Sequence, residues 1–252
     1  MLYRLIRVIA IVFFLLAYPA CSLSAAEITV SAAASLSNAF TMLARDFSEA
    51  TGIKVHLNFA SSNNLLRQMQ SGAPVDVFAS ADQKTMDMAV DSKLIRPETR
   101  TNFARTDLVL ITPVKGTPAS SPADLRHDSF GTIAIGTPKS VPAGRYAQEA
   151  LTHEKFWQEL SAKFIFGNNV RQVLSYVQQG EADAGIVYRT DALTAHDKVR
   201  IDAVLKGHTP VTYPIALTAD SAAPEEARRF LEYVLSPAGQ KVLTSFGFGT
   251  TK

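Results

Sequence analysis

The sequence predicts an α/β protein whose sheets are built mainly of parallel strands. Three observations carry this expectation. Short β-branched or apolar runs alternate with helix-patterned stretches nearly from end to end. Four of the junctions where a strand gives way to a helix share one design, small residues followed by a hydroxyl, an amide or a proline. No internal repeat of fixed period and no low-complexity tract interrupts the pattern.

Taken in order, Ile28-Thr29-Val30 opens the first strand (ITVSAA), which runs into a helix over Leu36–Ala50. KVHLNFA leads to a helix over Asn63–Gln70 that Ser71-Gly72 should stop. VDVFAS leads to Ala81–Asp91, and LVLIT to a loop rich in Pro and Ser over Thr112–Pro122. TIAIGT is followed by Ala143–Leu151 and a second helical stretch, Glu154–Ala162. KFIFG leads to Val170–Gln179 and AGIVY to Asp191–His196. TYPIALT is the last strand, before one long helix over Ala223–Phe246.

The amino-terminal segment stands outside this alternation. Arg4 and Arg7 precede the apolar run Val8–Leu16, and Ser24-Ala25-Ala26 offers a cleavage site before Glu27. This is the layout of an export signal, and the apolar run is shorter than the roughly 20 residues a membrane span needs. Residues 1–26 are therefore expected to be a signal peptide and the protein to be exported. Pro19-Ala20-Cys21 admits a lipid anchor on Cys21, but Tyr18 stands where such a signal wants Leu. Cys21 is the only cysteine, so cleavage after Ala26 leaves no disulfide and no thiol chemistry.

The chain has 25 Lys+Arg and 23 Asp+Glu, and the leader carries two of the bases and no acid, so the rest is formally neutral. That argues against a nucleic-acid partner, which calls for a basic stripe. Any bound anion must be held by local dipoles.

Ligands of parallel α/β sheets sit where strands end and helices begin. The four similar junctions are Ala33-Ala34-Ser35, then Asn58 to Asn64 with Ser61 and Ser62, then Thr137 to Gly144 with Pro142, and Phe166 to Val170 with Asn168 or Asn169 as a cap. A serine before a helix is ordinarily an N-cap and no more. Several helix N-termini meeting at one point, however, supply enough N–H donors to bind a tetrahedral oxyanion without a counter-cation. Ser35 and Ser62 would add hydroxyl donors there, and Tyr188, closing GIVY, either adds another or packs at a sheet edge. Lys139 and Arg145 lie near the third junction and are expected to be solvated.

Catalytic signatures are lacking. Asp76 and Asp82 flank VDVFAS, as turn and cap acids do. His56, His127, His153, His196 and His208 show no metal-ligand spacing, and neither GxSxG nor a glycine-rich phosphate loop occurs.

AAASLSNAF, FASSNNLLRQMQSGAPVDVFASADQKTMD, VPAGRYAQEAL and NNVRQVLSYVQQGEADAGIVYRTDA, in this order, resemble the periplasmic molybdate-binding proteins of ABC transporters. The resemblance covers essentially everything after the leader. It implies a type II periplasmic-binding-protein fold, two α/β domains joined by two crossover strands with a ligand cleft between them. By that likeness the first domain would comprise residues 27–103 and 213–252, and the second 104–212, with LVLIT and TYPIALT as crossovers.

The resemblance further implies contacts to molybdate or tungstate from Ser35, Ser62, Ala143, Val170 and Tyr188, the alanine and valine through backbone N–H. The metal would be held as its oxyanion, with no side chain bonded to it and no cofactor. Choosing Ser62 over Ser61, and Tyr188 as a ligand, rests on the resemblance alone. The implied partners are the oxyanion and a membrane permease, with the protein a periplasmic monomer and not an enzyme. Asn63, Asn64 and Arg145 depart from the family pattern without removing a donor. The rival readings are the same scaffold binding sulfate, phosphate or a small carboxylate, a dehydratase on this fold, and the effector domain of a transcription regulator.

Overall fold

The computed structural model describes residues 26–250. Cys21 and the expected leader, apart from Ala26, lie outside the described residues. Strand β1 (Glu27–Ala33) passes through a single 3-10 turn, Ala34–Leu36, into α1 (Ser37–Thr51). Gly52 ends α1 at φ 75°, a left-handed cap that a side chain would strain. Next come β2 (Lys54–Ala60), α2 (Ser62–Gln70), β3 (Val77–Ala79), α3 (Gln83–Asp91) and β4 (Thr101–Arg105). The middle of the chain forms β5 (Leu108–Pro113), β6 (Ile133–Gly136), α4 (Pro142–His153), α5 (Trp157–Leu160), β7 (Phe164–Gly167), α6 (Val170–Gln178), β8 (Ala184–Tyr188), α7 (Arg189–Leu193) and β9 (Val199–Val204). It returns through β10 (Thr212–Leu217) to α8 (Pro224–Leu235) and α9 (Pro237–Ser245).

These strands form two five-stranded sheets of one design, ordered β2-β1-β3-β10-β4 and β7-β6-β8-β5-β9. In each, three parallel strands are followed by one that runs against them and by an outer strand antiparallel to that one, so four of the five share a direction. The expectation of mainly parallel sheets holds for strand direction, and the exceptions are β10 and β5, each of which begins where the chain has crossed from the other sheet and runs against the rest. LVLIT lies within the second sheet as β5, and TYPIALT within the first as β10. The connections themselves are Thr106-Asp107 and residues 205–211, and they touch where Thr106 N–H donates to Val211 O at 3.3 Å.

Helices α1, α2, α3, α8 and α9 cover the first sheet and α4 to α7 the second, so the chain presents two lobes. Behind the first sheet, Phe40 meets Phe103 and Phe47 meets Phe230 edge to face at centroid distances of 5.6 and 5.3 Å. Such pairs add about 0.5–1.5 kcal/mol each beyond their burial.

Other expectations need amending. Strands β4 and β9 were not foreseen. The long helix over Ala223–Phe246 is two helices, because Ser236 is extended at ψ 161° before Pro237 and caps α9 through Gly239 N–H. The stretch Glu154–Ala162 holds the single turn α5 and runs into a 3-10 turn, Ser161–Lys163, and the helix after β8 begins earlier, at Arg189.

Candidate functional site

The four junctions meet. Ala33, Ala34 and Ser35 from the first, Ser61 and Ser62 from the second, Val141 to Ala143 from the third, and Asn169 and Val170 from the fourth line one cavity, with Ala81 and Tyr188. Its free volume is about 10 Å³. That is far below the roughly 300–1,000 Å³ typical of pockets for drug-sized molecules, so the space suits only a ligand of very few atoms. All five residues expected to contact a ligand are among its walls, Ser35 and Ser62 from the first lobe and Ala143, Val170 and Tyr188 from the second.

The hydroxyls are arranged to donate. Ser62 is fully buried, and its Oγ accepts the Ala81 N–H at 3.0 Å. Ser35 Oγ accepts the Tyr213 hydroxyl at 3.2 Å. With an acceptor position of each oxygen engaged, each serine proton is left for something else. The Tyr188 hydroxyl is buried and has no partner among the described residues, and the same is true of Ser61 Oγ. Burial, helped by neighbouring Tyr213, holds the Tyr188 phenol well above its ordinary range, so it keeps its proton and can only be improved by an acceptor. Tyr188 is therefore no solvated residue at a sheet edge.

The helix ends complete the donor set. At α4 no side chain caps the N-terminus, and Pro142 in the first position has no N–H, so the first donor is that of Ala143. At α6 the cap is Asn169, whose side chain takes the N–H of Gln172 at 3.0 Å and leaves Val170 N–H uncapped. Ser61 precedes α2 but makes no side-chain cap bond. Each of these ends also carries the partial positive charge of a helix N-terminus, equivalent to roughly half an elementary charge.

Other charged candidates are occupied elsewhere. Asp76 accepts from Thr29 N–H at 2.7 Å and from Ser221 Oγ at 2.7 Å, and Asp82 caps α3 through Thr85 N–H at 3.1 Å. Both acids are structural. Lys139 is exposed and does not line the cavity. Arg145 also stays out of the lining but is not solvated as expected, because its guanidinium reaches Asp82 on the other lobe. Among the described residues no group of three or more His, Cys, Asp or Glu could hold a metal ion.

Two supports could not be read from the chain. Tyr213 lies 178 residues from the Ser35 that it orients. Arg171, next to Val170, places its Nε 2.5 Å from Asp191 Oδ1, an acid with no exposure at all. Burial pushes the Asp191 carboxyl up to about 6, against the pull of the Arg171 charge. Ser61 was in view at the second junction, and its unpartnered oxygen makes it a further candidate donor beside Ser62.

A sequence model of the family described as bacterial extracellular solute-binding protein matches residues 28–249. The chain belongs to that family. Among curated relatives of this solute-binding protein, the molybdate-binding protein ModA of Escherichia coli (strain K12) is 39% identical, over 88% of this chain and 88% of its own. A putative ABC transporter substrate-binding lipoprotein of Bacillus subtilis (strain 168), YvgL, is 37% identical over 88% of this chain and 85% of its own. The fold is that of the periplasmic molybdate-binding protein of Azotobacter vinelandii, which superposes with a TM-score of 0.80 at 24% identity, over 89% of this chain and all of that one.

Proposed function

We propose that this solute-binding protein captures molybdate outside the cytoplasm and delivers it to the membrane permease of an ABC importer. The observation that carries this reading is the cavity itself, where neutral donors from both lobes converge and no cation is supplied. Ser35 and Ser62 donate from the first lobe. Ala143 N–H, Val170 N–H and the Tyr188 hydroxyl donate from the second. Hydrogen bonds to a charged partner are each worth about 1.5–3 kcal/mol, so a dianion gains what a neutral solute does not.

The donor-only character also selects. The serine oxygens already accept from Ala81 and Tyr213 and the helix-end N–H groups can only donate, so a ligand bearing its own proton finds fewer acceptors than a bare dianion finds donors. Hydrogen phosphate is disfavoured on that ground, and fully deprotonated tetrahedral dianions are favoured. Tungstate, of the same charge and shape as molybdate, fits equally, and no cofactor takes part. The two lobes, residues 26–105 with 212–250 and residues 108–204, would close on the anion by bending at the paired connections between them. The protein would act as an exported monomer, a binder and not a catalyst. The lipoprotein relative keeps an anchor on Cys21 open as an alternative to cleavage after Ala26.

Thermal melting tests the ligand. A ligand bound only by the folded state at a thousand times its Kd stabilises by about 4 kcal/mol, a rise in Tm of roughly 10 °C for a chain of this size. Molybdate and tungstate should give that rise; phosphate at the same concentration should give much less because it carries a proton, and sulfate much less because its shorter bonds to oxygen make it too small for donors spaced for molybdate. An equal rise with sulfate removes the molybdate assignment and keeps the oxyanion one; no rise with any of the four removes both.

Single-residue variants test the donors. Ser35→Ala and Ser62→Ala should each weaken molybdate binding about ten- to a hundredfold by calorimetry. Tyr188→Phe should weaken it similarly while leaving the ligand-free protein as stable as before, since its hydroxyl has no protein partner to lose. Lys139→Ala should bind normally. Normal binding by all three donor variants, with loss in Lys139→Ala, would mean that a cation holds the anion.

A further inference from the structure

On the rim of the cavity a second polar arrangement joins the lobes. Arg145, on the first turn of α4, directs its guanidinium away from the cavity and onto the opposite lobe. Its Nε donates to Asp82 Oδ2 at 3.0 Å, and its Nη2 reaches the same oxygen, Asn63 Oδ1 at 3.0 Å and Thr85 Oγ1 at 2.9 Å. Its Nη1 is 3.4 Å from Pro138 O on its own lobe. Thr85 in turn donates to Asn63 Oδ1 at 2.6 Å, and Asn63 Nδ2 reaches across to Lys139 O at 3.4 Å. The ion-pair side chains are 12% and 4% exposed, so water is largely excluded.

The positions matter as much as the bonds. Asn63 follows Ser62, Asp82 follows Ala81, and Arg145 lies two residues after Ala143, so the network borders the anion donors on both lobes. Arg171, the other arginine beside the cavity, crosses to the opposite lobe only through Nη2, 3.4 Å from the neutral Ser35 O. Its counter-charge, Asp191, belongs to its own lobe and stays with it whether the lobes are together or apart. The counter-charge of Arg145 stays only while the cleft is shut.

We propose that Arg145 is the clasp of the closed form, a positioning residue whose pairing with Asp82, Asn63 and Thr85 sets how slowly the bound anion leaves. The proposal rests on the oxyanion reading of the cavity. A buried ion pair adds little where its groups are poorly satisfied. Here the arginine fork spreads its donors over four acceptors, and Asp82 keeps its cap on α3, which is the geometry in which charge-assisted bonds outweigh desolvation. Parting the lobes breaks every bond that crosses between them. The clasp therefore acts on opening and not on encounter, which needs only an open cleft.

The test preloads the protein with radiolabelled molybdate and follows release into excess unlabelled molybdate. Arg145→Met keeps the length of the side chain and removes its charge; release should quicken about tenfold, with the association rate within about threefold of the original. Asp82→Asn, which retains a capping side chain, should do the same, and the double variant should be no faster than either alone. The melting temperature without molybdate should stay within a few degrees. Release at the original rate in Arg145→Met overturns the clasp, as does a fall in ligand-free melting that matches the fall with ligand, which marks a merely structural pair. If the unaltered protein retains no molybdate, the oxyanion reading fails and the clasp with it.

Discussion

Gly144→Ala should cripple molybdate binding and destabilise the fold together. A Cβ at Gly144 would lie 2.0 Å from Gly136 O and 2.5 Å from its carbonyl carbon, well inside van der Waals contact. Neither atom can retreat, since Gly136 belongs to β6, which is paired to β7 on one side and β8 on the other. The helix must move instead, and its displaced end carries Ala143 N–H and the Arg145 clasp. Overpacking of this kind costs about 1–3 kcal/mol of stability and occasionally more. Losing the helix-end donor to the anion adds another 1.5–3 kcal/mol to the binding loss, so Kd should rise at least about a hundredfold once the clasp is also disturbed. Calorimetry and a denaturant melt on the same sample measure both. Unchanged affinity would show that the end of α4 does not meet the ligand.

Arg171→Met should give the largest loss of stability, and one that depends on pH. The substitution strands the Asp191 carboxyl in an interior where burial already raises its pKa to about 6 with Arg171 present. Removing the guanidinium can only raise it further. An acid whose folded-state pKa lies above its unfolded value binds more protons folded than unfolded, so stability falls as pH rises from about 4 through the folded value. Breaking a buried pair from one side costs about 3–5 kcal/mol. The lower end applies here at pH 8, because the Arg171 side chain is 24% exposed and partly screened by water. At pH 5 the stranded carboxyl takes up a proton and most of the loss should disappear. Urea melts at the two pH values decide it, and an equal loss at both would show that Asp191 is not the cause. Adding Asp191→Asn to Arg171→Met should recover stability at pH 8.

Much of the architecture is local in origin, and that part was legible. The strands ITVSAA, KVHLNFA and AGIVY, an asparagine cap at Asn168 or Asn169 that the structure places at Asn169, the cap acid Asp82, and Pro142 at a helix start follow from branching at Cβ, side-chain reach and a missing N–H. So did the recurrence of one junction design at four places. The strands that escaped, β4 and β9, are the outer strands of their sheets. Only Phe103 and Ala104 in TNFAR and Val199 in VRIDAV are buried, so neither forms the unbroken apolar run that marks the inner strands. Ser236-Pro237 was a visible break inside Ala223–Phe246, and the apolar period on either side concealed it.

The sequence by itself determined the alternating α/β order, the donor-rich helix starts, the formal neutrality from Glu27 onward and so the need to hold an anion by dipoles. Only the tertiary structure decided that the four starts face one cavity, that Tyr188 is buried with its hydroxyl unpartnered, and that Tyr213 orients Ser35. It likewise turned Arg145, on the chain an ordinary solvated base, into a charge paired across the lobes. Propensity and capping act over a few residues and leave their mark on the chain. Partners 63 or 178 residues apart, as Asp82 is from Arg145 and Ser35 from Tyr213, are chosen by where the sheets carry their strand ends, which no local pattern records.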